Sequence, residues 1–430
     1  MKKILLTLFF LLFIPSNTLA QNLLEALKEA YNNNTELNAE RENLSISEQD
    51  LKISKSEYLP SATITSSKSR EDTNKLTNQS GGDATINDVD PLSTSIKIEQ
   101  TLVDFGRGAD YQKKKIGIDL AKAKLFKKEQ DIIYKVIEAY SGLITAKEKE
   151  EINRKNVELK ISQLETDRIR LERGEVKLSD LAQSESSLAG AEAQYIQSKS
   201  EVVTSKLNYE NVIGKVNVNN LQKSIQSIVK IPPTLENAIE LSKKNNHDIK
   251  IAELELNQAE KDITIAKSDL APTASLSLER SYTEDLSTTY DEREKDVLKA
   301  TVSWPFYSGG KKFATLDKNQ SIKVRQRLLL DNAIKNNLTG VTSAWSNLLS
   351  SESFLNSVRA QVKAAEIANE GITAEYLSGA GSRSTLDLIQ SNSLLLNAQI
   401  SLANSERNYL LAQYNLLKSV GLLTSSYLNL

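Results

Sequence analysis

Two periods of hydrophobicity alternate along this chain, and the alternation occurs twice. Over about residues 23–58 apolar positions recur at helical spacing, interrupted at Asn32-Asn33-Asn34. Pro60 stops the helix, because proline has no N–H for an interior turn. The period then changes to two. Over 95–102, Ile96, Ile98 and Leu102 alternate with Ser95, Lys97, Glu99 and Thr101, after a weaker segment at 61–65. Such alternation predicts strands with one apolar and one polar face. A turn at 104–108 leads into a long predicted helix, about 108–170. There Ile116, Leu120, Ala123, Ile132, Val136, Tyr140 and Leu143 recur at three and four residues. A glycine-containing break and a shorter helix, about 179–213, end the unit.

The whole arrangement then repeats. Residues 23–65 align without a gap onto 235–277, pairing Asn33 with Asn245, Asp50 with Asp262, Ser56 with Ser268 and Pro60 with Pro272. Later, Gly174, Asp180, Leu181, Gln183 and Ser184 fall on Gly381, Asp387, Leu388, Gln390 and Ser391. A shared helical bias would not keep glycine and proline in register, so the chain is a duplication. The second copy predicts strands at 273–279 (Ala274, Leu276, Leu278) and 298–304 (Leu298, Ala300, Val302, Trp304), a turn at 307–310, and helices over about 311–376 and 386–420. The expected division is a signal peptide at 1–20, a first helix–strand–strand–helix repeat at 21–222 and a second at 223–430, the two forming one intertwined unit.

The N-terminus changes the picture of location. Lys2 and Lys3 precede an apolar run from residue 4 to 14, Pro15 breaks it, and Thr18-Leu19-Ala20 supplies small residues for cleavage. This predicts a secretory signal peptide with a mature start at Gln21. No other stretch has ~20 consecutive apolar residues, so no membrane-spanning helix is expected. With no cysteine, the fold must hold by packing alone and cannot carry a lipid on an N-terminal cysteine. A net charge of −2 argues against nucleic acid. Only 16 Gly and 7 Pro in 430 residues fit long uninterrupted helices.

Four strands cannot close a barrel alone, since known outer-membrane barrels start at about eight. Open edges cannot sit in lipid, so several chains must share one barrel. Two chains would give an interior filled by side chains, three an open lumen, and the polar alternate faces favour three. At 1.5 Å per residue each long helix spans ~95–100 Å, and the two shorter helices of a copy together match it. The expectation is a mixed α+β membrane protein. Its long helices form an α-barrel conduit, and its four strands per chain contribute to a trimeric, twelve-stranded outer-membrane β-barrel. Ile96, Ile98, Leu276, Leu278, Val302 and Trp304 would face outer-membrane lipid, and Phe306 and Tyr307 would sit at an interfacial girdle.

The duplication, Leu59-Pro60-Ser61 at the first strand, Asp104-Phe105-Gly106-Arg107 after the second, Gly309-Gly310 after the fourth and the Gly-x5-Asp-Leu reversals resemble the TolC-like outer-membrane efflux and export family. The resemblance covers 21–421. It implies a homotrimer in the outer membrane that extends into the periplasm. Such a trimer docks through a periplasmic adaptor protein on an inner-membrane transporter, in a tripartite efflux pump or a type I secretion system, and stays closed at its periplasmic tip until engaged. It also implies a gate: Asp180 matches a position that pairs with an arginine across the subunit boundary, Arg383 matches that arginine, and Tyr376 is the tyrosine of the family's Tyr-x-x-Gly. Asp387 matches an entrance ring that favours cations, while Gln390 stands where some relatives carry a second acidic ring. Gly174, Val176, Leu178 and Ser179, with Gly381, Ser384 and Thr385, are the expected adaptor-contacting tip. The chain departs from the family where Asn-Asn-Pro reads Asn33-Asn34-Thr35 and Asn245-Asn246-His247. It departs again where Tyr-x-x-Gly reads Leu171-Glu172-Arg173-Gly174, and where two extra residues enter the second reversal.

Catalytic chemistry has little to work with. One histidine, His247, expected at a helix start beside Asp248, leaves no metal or triad set. Gly309-Gly310-Lys311 lacks the remainder of a phosphate loop and reads as a strand-to-helix turn. No catalytic residue, metal or cofactor is expected, and the chain reads as a non-enzyme. The alternatives are a periplasmic adaptor, which would not repeat a strand pair, and a secreted coiled-coil adhesin, which would show sustained heptads without amphipathic strands.

Overall fold

In the computed structural model, residues 22–72, 75, 77, 80–82, 89–215, 221–223, 230–287, 290–378 and 383–428 are described. The expected signal peptide and Gly381 lie outside them. The first copy contains α1 (Leu23–Asn33), α2 (Thr35–Ser56), β1 (Ser61–Lys68), β2 (Leu92–Val103), α3 (Arg107–Glu172) and α4 (Leu178–Val212). The second contains α5 (Leu235–Asn245), α6 (His247–Ser268), β3 (Thr273–Glu284), β4 (Glu292–Ser303), α7 (Lys311–Leu377) and α8 (Thr385–Val420), followed by a short α9 (Ser425–Leu428). No described helix is long and apolar enough to cross a membrane.

The helix interruptions fall on Asn34 and Asn246, each in extended backbone (ψ 123° and 122°). The Asn34 side chain replaces the missing proline: its Oδ1 accepts from the Glu36 and Leu37 N–H groups at 3.0 and 3.2 Å. Its Nδ2 donates to the Val212 carbonyl at the end of α4 (3.1 Å), and Asn246 does the same to Ser419 at the end of α8 (3.2 Å). One asparagine thus starts a new helix and fastens it to the last turn of another.

The chain divides into two compact units, each drawing on both copies. One comprises Met1–Asn38, Lys128–Asn246 and Leu338–Leu430. Its second-copy core is Ala238, Val341, Ala344, Leu348, Ala412, Leu416 and Val420. Tyr140 and Tyr209 are fully buried with ring centroids 6.3 Å apart, and the Tyr140 hydroxyl donates to the Gln222 carbonyl at 2.7 Å. Burying such side chains contributes about 1.5–3 kcal/mol each.

The other unit comprises Ala39–Lys127 and His247–Asn337. It packs Leu120 and Ala123 of α3 against Leu254 of α6 and holds all four strands. The strands form one antiparallel sheet in the order β1-β2-β3-β4. β1, β2 and β3 run further than their alternation predicts, and β4 starts earlier, at Glu292. The added residues, such as 66–68, 283–284 and 292–296, are polar on both faces and give no period-two signal, yet their backbones pair, as in Lys68↔Leu92 and Glu284↔Glu292. Trp304 lies just beyond β4. His247 opens α6, as expected, and stacks on Phe126 at 5.7 Å. Gly309 and Gly310, at φ 61° and 79°, make the expected turn into α7.

Candidate functional site

Residues opposite one another in an antiparallel sheet share a face. The register therefore sorts this sheet completely. One face carries the row Ala62, Ile98, Leu278 and Leu298, flanked by Ile64 with Ile96, Leu276 with Ala300, and Ala274 with Val302. The other carries Thr63, Lys97 and Glu279, then Glu99, Ser277 and Lys299, then Thr65, Ser95 and Ser281. Ile96, Ile98, Leu276, Leu278 and Val302, named from the sequence, lie on the first face and are exposed, Val302 by 73%, while Trp304 is exposed beyond the end of β4. Toward the β3–β4 loop, Arg280 pairs with Glu294 (3.2 Å) and Asp296 (3.9 Å) and ends the apolar band. At the opposite end Trp304 and Phe306 meet edge to face, centroids 5.7 Å apart. β1 and β4 are the ends of the strand order, and each leaves one edge unpaired.

The second constellation sits where the helices reverse, within the other unit. Between α3 and α4 Gly174 adopts φ +73°. Its N–H bonds the Leu171 carbonyl and the Glu175 N–H bonds that of Arg170, both at 2.9 Å, which closes the helix end. The turn 173–177 is two residues shorter than the turn 378–384, as the sequence predicts.

Asp167, wholly buried on α3, is the centre of this end. Ser184 of α4 donates to its Oδ2 at 2.5 Å, and the buried Tyr376 hydroxyl of α7 donates to its Oδ1. The same phenol lies 3.1 Å from the Thr385 hydroxyl of α8. The Arg170 guanidinium stacks over the Tyr376 ring at 4.5 Å and reaches Glu175 at 3.1 Å. Burial, then the Asp167 carboxylate, push the Tyr376 phenol above its ordinary pKa. Further along α3, Lys160 is buried beside Gln163 (3.4 Å), and desolvation holds its ammonium down to about 8 against the favourable pull of Asp167.

The other described tip residues named from the sequence lie in the turns or the first turns of the helices that follow them. Asp180 accepts from the Lys177 N–H at 2.9 Å and so caps α4. Asp387 occupies the same position on α8, accepting from the Ser384 N–H and hydroxyl, both at 2.9 Å, and these bonds hold its carboxyl below the usual range. Arg383 pairs with Glu375 of its own chain at 2.6 Å. Leu178 is 71% exposed, with Gly174, Ser179 and Ser384 also exposed and Val176 half-buried; Thr385 is buried against Tyr376.

The outer membrane efflux protein family model matches residues 26–215 and again 238–422, one match for each copy. This chain belongs to that family. An outer membrane efflux protein is a channel protein of the outer membrane with a periplasmic part, and the family's paired halves explain the twofold pattern. The chain is 25% identical to the outer membrane efflux protein BepC of Brucella suis, over 96% of this chain and 88% of that one. It is 22% identical to the alkaline protease secretion protein AprF of Pseudomonas aeruginosa, over 100% and 91%. To Escherichia coli TolC it is 23% identical, over 98% and 87%. Its fold is that of solved outer-membrane channels: the Campylobacter jejuni CmeC channel superposes with a TM-score of 0.81 at 16% identity, over 93% of this chain and 85% of that one. The open state of the Neisseria gonorrhoeae MtrE channel gives 0.74 at 16%, over 94% and 89%. Asp167 was not among the residues singled out from the sequence of this efflux protein, although a polar stripe on α3 (Asn153, Lys160, Gln163, Asp167, Arg170) repeats at seam spacing and marks it.

Proposed function

We propose that three copies of this chain form the exit duct of an efflux pump or a type I secretion system, receiving cargo through a periplasmic adaptor from an inner-membrane transporter. The observation that carries this reading is the sheet: one face apolar, one face hydroxylated and charged, and an open edge on each side. In lipid both edges must be paired, and three copies give twelve strands around a lumen lined by the polar face. Ile96, Ile98, Leu276, Leu278, Val302 and Trp304 then meet lipid. Relatives named for efflux and for protease secretion support both cargo routes equally.

The reversal end is the proposed gate. Asp167 draws α3, α4 and α7 together and, through Tyr376, α8, so closure is built into side-chain hydrogen bonds that opening must break. Asp180 and Arg383 are proposed to add a bond across the subunit boundary, and Asp387 to ring the entrance. The exposed Gly174, Leu178, Ser179 and Ser384 offer the adaptor its contact, with Val176 half-buried in the first turn; Thr385, buried against Tyr376, is held inside instead. Detergent-extracted protein should have three times the chain mass, and photo-crosslinkers at Leu178 and Ser384 should capture an adaptor in cells. A monomer or dimer, or an outer-membrane trimer that captures none, would overturn the reading.

A further inference from the structure

The two copies build the sheet by the same rules, and those rules extend past the end of β4. Ser61 faces Glu99 across β1 and β2, as Thr273 faces Ser303 across β3 and β4. Thr273 is the second-copy counterpart of Ser61, so Ser303 is the counterpart of Glu99. The correspondence runs without a gap into the helices, where Arg107 opens α3 and Lys311 opens α7. A side-chain bond checks it independently. Gln100 donates to the Tyr58 carbonyl at 3.2 Å, and Trp304, its counterpart, donates to the carbonyl of Leu270, the counterpart of Tyr58, at 3.1 Å. A charge checks it again, since Arg280 at the border of the apolar band has Lys68 as its counterpart.

One junction has no counterpart within the chain. β2 pairs with β3, and there β2 continues through Val103, with a bulge between Thr101 and Val103. The corresponding junction is β4 with the β1 of another copy, and the counterparts of 100–103 are 304–307. Trp304, Phe306 and Tyr307 are 61, 84 and 85% exposed, and every residue of β1 is exposed.

We propose that residues 304–307 become the last turn-side segment of β4 in the assembled protein, by pairing antiparallel with β1 of a neighbouring copy. Carrying the β2–β3 register across sets Ala300 opposite Lys68, Val302 opposite Ser66 and Trp304 opposite Ile64 of that copy. Past a bulge at Pro305–Phe306, Tyr307 lies opposite Ala62. Pro305 fits this placement, because proline in a sheet is confined to edges and bulges. The bulge also returns Tyr307 to the apolar face, beside Trp304 at the level where interfacial aromatics settle. A register shifted by one residue would turn the apolar set of β1 to the lumen, which leaves shifts of two as the competing arrangements.

The inference rests on the three-copy reading, and the test separates the two. The chain has no cysteine, so introduced pairs are the only thiols. Within one chain β1 and β4 are three strand spacings apart, about 14 Å, too far for a disulfide. Ser66→Cys with Val302→Cys should give covalent dimers and trimers on mild oxidation in outer membranes. Ile64→Cys with Val302→Cys, and Lys68→Cys with Val302→Cys, should give at least tenfold less. Trimers that link through either shifted pair, or through none, would overturn the register while the three-copy reading stands. A wild-type chain that forms no trimer would overturn both.

Discussion

The Tyr376 phenol donates a hydrogen bond to the Asp167 carboxylate, and the two side chains come from different copies of the repeat, 3% and 0% exposed. A carboxylate taken out of water needs such donors, and removing one leaves a buried acceptor short. Tyr376→Phe keeps the ring under Arg170 and removes only the hydroxyl. It should weaken the packed reversal end by about 1.5–3 kcal/mol. Amide hydrogen exchange over 165–185 and 370–390 should speed up accordingly, with exchange in the strands unchanged. Equal exchange in both proteins would mean that the bond holds nothing.

Lys160 makes the same region sensitive to alkali. Its folded pKa, about 8, lies below the ordinary lysine value of 10.5, so the packed state disfavours the charge. The packed state is penalised fully below pH 8 and gains stability as pH rises from about 8 toward 10.5. Thermal unfolding of this segment should therefore shift upward over that window in the wild type, and Lys160→Met should remove the shift. A wild-type midpoint that falls or stays flat between pH 8 and 10 would contradict the assignment.

How much of this was legible beforehand follows from which signals are periodic. The helices, the existence of the strand pairs, the Pro60 and Pro272 stops and the longer second reversal are written in spacing and repetition, and the helix bounds appear within one or two residues. The outer halves of the strands were not legible, because residues such as Thr283 and Glu292 are polar on both faces and pair through backbone alone. Asp167 was missed because a single carboxylate among 56 acidic residues looks like a solvated helix face. Only its place in a stripe that replaces apolar seam positions distinguishes it. Asp180 and Asp387 were legible as a matched pair, but their capping role follows from the turn that precedes each helix.

Gly421 closes α8 at φ 85°, and a Cβ there would lie 2.4 Å from the Asn245 carbonyl oxygen. At its counterpart, Gly214, a Cβ would meet only the end of the Glu29 side chain, at 3.0 Å. Both glycines sit at positive φ (130° at Gly214, 85° at Gly421), so alanine is strained at each, and Gly421 adds a backbone contact that cannot yield as a flexible carboxylate can. Gly421→Ala should lower the denaturation temperature clearly more than Gly214→Ala, by more than about 1 kcal/mol in stability. Equal losses would show that the backbone contact is not the cause.

The two sheet faces make opposite demands. Leu278→Lys places a charge in the middle of the apolar band, at about 2–4 kcal/mol per chain if that face meets lipid. Ser277→Lys, on the neighbouring polar face beside Glu99 and Lys299, should be tolerated. Heat-resistant oligomer in the outer-membrane fraction should fall sharply for the first and hold for the second; the reverse order would exchange the lumen and lipid faces.

A channel closed by side-chain bonds at its helix reversals is read directly by single-channel recording in planar bilayers. Wild-type trimers should open small, steady conductances. Tyr376→Phe should raise the conductance several-fold, as should Arg383→Ser and Asp180→Asn, with the Asp180/Arg383 double change adding little to either single one. Asp387→Asn should reduce cation selectivity without changing closure. Wild-type conductance from trimers of Tyr376→Phe and Arg383→Ser would place the closure elsewhere, and trimers that conduct no ions at all would contradict the channel itself.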